Sequence, residues 1–153
     1  MIILDENIPE DQRQLLRSWR VPVRQIGFEV GRPGMQDDEI LPLLHRLEKS
    51  TFFTRDLGFY SPHLRHARYG LVCRAVSQYE VASFIRRFLR HPGFHTQGRR
   101  CGSVARVRAG GIACWRLHFE LEQSIGWLVV LPAPATDWAL IQPSNRGWRG
   151  PAF

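Results

Sequence analysis

Four short apolar runs, separated by stretches with a helical repeat, limit most strongly what this chain can fold into. Residues 1 to 4 (MIIL), 21 to 27 (VPVRQIG), 50 to 54 (STFFT) and 69 to 76 (YGLVCRAV) are rich in β-branched and aromatic side chains. The first and third end abruptly at charged residues, the pattern of short strands buried on both faces. Between the first two runs, Ile8, Leu15, Leu16 and Trp19 share one helical face, with Asn7 placed to cap the helix and Glu10 to close a capping box. A second helical repeat runs through Ile40, Leu41, Leu44 and Leu47. Pro42 lies within it, which places the helix start near Asp37 or Asp38, since a proline deeper inside removes a hydrogen bond and clashes. A third repeat, entered at Ser77 or Gln78, turns Val81, Phe84, Ile85, Phe88 and Leu89 inward.

Strands alternating with helices over short connections predict an α/β fold with a parallel sheet of order 2-1-3-4 flanked by helices. Such a sheet reverses direction between its first and third strands, and ligands bind beyond the carboxyl ends of the strands at that point. Those ends carry Asp5, Glu6 and Asp56. Past His91 the character changes to a loop and two β-prone runs about Gly110 and Gly111, a C-terminal β-hairpin. Residues 1 to 91 thus form the main α/β unit and 92 to 120 a loop and hairpin extending it. Residues 121 to 153, rich in Pro and Trp, read as an irregular tail.

The three cysteines make no CxxC pair, so neither a disulfide framework nor a zinc site is indicated. His63 and His66 are three apart without a third ligand, and Cys73 reads as inert core. The longest apolar stretch is too short to span a bilayer and no signal peptide opens the chain, so a cytoplasmic location is expected. Charge is more informative. The net charge is +7, and residues 61 to 120 hold eleven bases against Glu80 and Glu120 alone, whereas residues 1 to 60 hold ten acids and eight bases. This asymmetry points to a polyanion or an acidic partner protein along the second half.

The acids then acquire a chemical reading. Asp5 and Asp56 sit on neighbouring strand ends, and Asp37 lies one turn before the inward Ile40. Three carboxylates in one crevice repel one another unless a cation lies between them. Mg²⁺ or Mn²⁺ suits such a site, with Glu6 and Asp38 as further candidate ligands, and the matching chemistry is metal-assisted phosphodiester hydrolysis. Asn7, Thr54, Arg55, Arg65 and Arg68 are candidate substrate contacts, and Arg86, Arg87 and Arg90 extend the basic set. Each acid also has a plainer explanation. Asp37 or Asp38 serves equally as a helix cap, Glu6 as a solvated side chain, and Asp56 as a turn former.

The segments IILDENIP, DDEI and FFTRDLGF, in this order within the first 60 residues, resemble the compact PIN-like toxins of bacterial toxin-antitoxin pairs, relatives of the VapC-like nucleases. The resemblance covers residues 1 to 117. It implies a Rossmann-like PIN fold, a divalent-metal endoribonuclease with Asp5, Asp37 and Asp56 at its centre, and a cognate antitoxin protein as partner. The family pattern has a second Asp two residues after the TRD acid; here Gly58 stands there. A catalytically silent module that binds RNA or protein is the alternative, and the hairpin edge is a candidate homodimer surface.

Overall fold

A computed structural model describes residues 1–127, and the remainder of the expected tail, 128 to 153, lies outside the described residues. Seven strands form one sheet of order β2-β1-β3-β4-β5-β6-β7, in which β1 (Ile2–Leu4), β2 (Val23–Gln25), β3 (Ser50–Thr54), β4 (Tyr69–Arg74) and β5 (Ser103–Arg108) are parallel. The order 2-1-3-4 is the one expected. β6 (Gly111–Arg116) and β7 (Gln123–Ile125) continue the sheet antiparallel.

Two apolar clusters, one on each face, follow from the alternation of side chains along every strand. Leu4, Phe53, Val72 and Ala105 point to one face, covered by α1 (Glu10–Ser18) and α3 (Val81–Arg90) through Leu16, Ala82, Ile85 and Phe88. Their neighbours Ile3, Phe52, Leu71 and Val104 point to the other, covered by α2 (Asp37–Leu47) through Ile40, Leu43 and Leu44. This three-layer α/β/α arrangement leaves the carboxyl ends of β1 and β3 side by side between helices that lie on opposite faces. Among the described residues no helix is long and apolar enough to cross a membrane.

Several boundaries differ from expectation for local reasons. β2 begins only at Val23, because Pro22 has no N–H for the ladder. α1 starts at Glu10 with Pro9 at its cap, so the exposed Asn7 does not cap it; the chain first turns, with Ile8 N–H donating to the Asp5 carbonyl at 3.2 Å. α3 starts at Val81, four residues later than Ser77. A short helix, α4 (Gln97–Arg100), stands in the expected loop. The hairpin turns at Ala109 and Gly110, one residue earlier than read, and its first strand lies inside the sheet beside β4. The stretch expected to be irregular from residue 121 contributes β7, which pairs with β6 over Ile112 to Cys114 and becomes the last strand of the sheet.

Candidate functional site

Sheet register builds the site. Leu4 pairs with Phe53, and one residue further Asp5 donates its N–H to the Phe53 carbonyl at 2.9 Å, which sets Asp5 beside Thr54. The Thr54 hydroxyl donates to Asp5 Oδ2 at 2.6 Å and accepts the Asp56 N–H at 3.0 Å. A fully buried hydroxyl therefore joins the two acids. Asp5 is itself only 8% exposed, whereas Asp56 is open to solvent. The Gly58 N–H donates to Asp56 Oδ1 at 2.8 Å, which fixes the carboxylate at the head of a short 3-10 turn, Leu57–Phe59. One oxygen of each acid remains without a protein donor among the described residues.

The turn that carries Asp5 is held from β2. Buried Gln25 donates its Nε2 to the carbonyls of Asp5 at 3.0 Å, Glu6 at 3.2 Å and Ile8 at 3.0 Å. Glu6 is drawn away from the acids, because its Oε2 accepts the Gly34 N–H at 2.8 Å and so tethers the loop before α2. Gln25 was not legible as a site residue; a glutamine ending an apolar run marks only where a strand stops.

Asp37 enters from α2. The helix cap is Gln36, whose N–H is accepted by Glu39 Oε2 at 2.8 Å, so neither Asp37 nor Asp38 is consumed by capping. The Asp37 carboxyl is held above its ordinary range, first by partial burial and then by the negative charges of Asp56, Asp5 and Asp38. Asp37 thus feels the charge of both other acids. Among the described residues no three Asp, Glu, His or Cys side chains are close enough to enclose an ion. Magnesium does not require such a cage, since one or two carboxylates with water complete its shell. The donors are hard oxygens with free lone pairs, and they fit Mg²⁺ or Mn²⁺ on those terms.

A raised carboxyl has a linkage sign. The folded state binds the Asp37 proton more tightly than the unfolded chain, so this contribution to stability is present at low pH and is lost as pH rises through the raised value. Asp37→Asn is expected to gain melting temperature relative to the wild type between pH 3 and pH 7, and added Mg²⁺ to close the gap at pH 7. Thermal melts at the two pH values read both effects.

The remaining candidates separate. Arg55 is exposed beside the acids and makes no side-chain hydrogen bond among the described residues. Asn7 is exposed at the same edge. Thr54 is wholly buried, so it positions Asp5 and is not a substrate contact. Arg65 donates to the carbonyls of Pro62 at 2.7 Å and Arg116 at 2.9 Å, and also to that of Phe119. It latches the β3–β4 connection to the end of β6. Arg68 bonds the His45 carbonyl and Glu48 Oε1, both at 3.3 Å, at the far end of α2. Its place beside the amino end of β4 puts it on the opposite edge of the sheet from the acids, so it is no contact of that site. His66 meets His45 and stacks on Tyr69, with no third ligand, and burial pushes the Cys73 thiol up to about 12, an inert core thiol as read.

An unneutralised basic surface lies on α3. Arg86 stacks over Trp19 at 3.7 Å and Arg87 over Trp127 at 4.3 Å, and with Arg90 and Ser83 they line a shallow pocket of about 300 Å³. None of the three arginines is in an ion pair among the described residues, unlike Arg13 and Arg17 of α1. A cleft of about 480 Å³ lined by Met1, Pro22, Arg24 and Arg100 opens at the amino edge of the strands and contains no acid. No protein-family model, curated protein or solved structure matches the chain.

Proposed function

We propose that this chain is a PIN-like, divalent-metal endoribonuclease, the toxin of a toxin-antitoxin pair acting in the cytoplasm. The observation that carries the reading is the pairing of Asp5 and Asp56 through Thr54 at the adjoining carboxyl ends of β1 and β3, with Asp37 at the start of α2 near enough to feel both charges. Asp5 and Asp56 would hold Mg²⁺ or Mn²⁺ with water completing the shell, and Asp37 would add its charge from α2. A bound ion supplies an activated water and screens the charge that develops on the scissile phosphate. Thr54 and Gly58 keep the two acids oriented, so that little rearrangement is needed on binding. Arg55, exposed beside them, is placed to contact a substrate phosphate, and the arginines of α3 give a positive surface for the RNA backbone or for an acidic segment of the antitoxin.

Gly58, where the family pattern has an acid, is compatible with this chemistry. Its N–H already holds Asp56, and a Cβ there would lie 3.0 Å from Asp56 Oδ1. Gly58→Asp is therefore expected to disturb Asp56 and to lower metal-dependent cleavage, although it restores the family residue. Cleavage of a mixed-sequence RNA by the purified chain in Mg²⁺ or Mn²⁺, abolished by EDTA, tests the proposal. Absence of cleavage in either metal would leave the silent binding module as the better reading.

A further inference from the structure

Arg74, the last residue of β4, is 2% exposed, and its Nε, Nη1 and Nη2 have no hydrogen-bond partner among the described residues. It pairs in register with Val107, which lies in the cluster under α1 and α3, so its side chain points to that face, opposite Cys73 and Thr54. A buried guanidinium without partners is expensive, and native proteins keep one only where an anion, a metal-site charge or water completes it. Burial and the nearby Arg55 lower its pKa to about 10, with Asp5 the opposing charge.

We propose that Arg74 is the floor of a phosphate subsite for RNA, separate from the acids and reached by displacing the segment 75–80 that joins β4 to α3. The identity of the ligand as RNA rests on the ribonuclease reading; the anion site itself does not. Phosphate chemistry follows from the fork of five donors, which suits a tetrahedral oxyanion, and from the positive charge of nearby Arg55. RNA rather than free phosphate follows from Tyr79, which stands on the same segment, is 73% exposed and is available to stack on the adjoining base. A strand with one phosphate at Arg74 would bring its neighbour over the sheet edge toward Asp5.

The test is melting in EDTA, so that metal and cleavage do not enter, with two ligands at constant ionic strength: inorganic phosphate and a short RNA bearing a 5′-phosphate. Wild-type Tm is expected to rise by about 5–10 °C once either ligand exceeds its Kd about 100-fold. Arg74→Met is expected to melt higher than wild type without ligand, because an uncompensated charge has been removed, and to lose the ligand-dependent rise. Tyr79→Ala should keep the phosphate response and bind the oligonucleotide roughly 10-fold more weakly. Asp5→Asn should retain both responses, so a failed nuclease reading and a failed anion site are distinguished. Equal ligand shifts in wild type and Arg74→Met, or an Arg74→Met chain less stable than wild type without ligand, would overturn the proposal. The first outcome would reduce the effect to general salting-out of the surface.

Discussion

Asp5→Asn is expected to reduce metal-dependent RNA cleavage by at least about 100-fold while leaving the fold in place. The substitution keeps an oxygen that accepts the Thr54 hydroxyl, now 2.6 Å from Asp5 Oδ2, and keeps the backbone hydrogen bonds that set the turn. Only the negative charge is withdrawn, and with it the attraction for a divalent ion. The loss in stability should stay near 1 kcal/mol, since one charge-assisted hydrogen bond becomes neutral. Single-turnover cleavage and thermal melting on the same preparation separate the two effects. Unaltered cleavage with an unaltered fold would remove Asp5 from the chemistry.

Thr54→Val is expected to have the largest combined effect on stability and activity. The valine is nearly isosteric, but it leaves a buried carboxylate and the Asp56 N–H without the hydroxyl that joins them. Leaving such groups unpaired costs about 1–3 kcal/mol. Because Thr54 orients a ligand and does not bind the ion itself, metal affinity should fall roughly 10–100-fold, and Thr54→Ser should restore most of it. A structural role alone would lower Tm without moving the metal dependence of the rate, so the Mn²⁺ concentration at half-maximal cleavage is the deciding readout.

The parts of this molecule that were legible in the sequence are those specified by local pattern. The runs IIL, STFFT and YGLVCR become β1, β3 and β4 because two-sided burial demands continuous apolar sequence, and the acids that end the first and third fall at one mouth once the order 2-1-3-4 is set. α2 opens at Asp37 as expected, although Pro42 then lies inside the helix, past its first turn. What was not legible depends on partners distant in the chain. Arg65 resembles any surface arginine until its carbonyl partners about the end of β6 are seen. Gln25 reaches across from the neighbouring β2 to hold the 5–8 turn, and nothing in its own neighbourhood announces it. Arg74 lies inside an apolar run, where an arginine gives no sign that it is buried, and its burial follows from its register with Val107 on the face under α1 and α3. β7 is three residues, Gln123–Ile125, with one apolar side chain among them; pairing with β6 makes it a strand, and propensity does not.

The same geometry explains why the basic character of the second half does not act as one surface. Arg65 and Arg100 are spent on protein carbonyls and hydroxyls, and Arg68 on α2, whereas Arg86, Arg87 and Arg90 remain for a polyanion. Net charge is thus a poor guide to where an RNA or an acidic antitoxin segment lies, and the unpaired arginines of α3 are a better one.

The most direct measurement is Mn²⁺ binding by calorimetry to the purified chain and to its Asp5→Asn and Asp56→Asn variants. Coordination shared between the mouths of β1 and β3 predicts a site in the wild type that both substitutions abolish. A wild type that takes up no Mn²⁺, or variants that take it up undiminished, would contradict it.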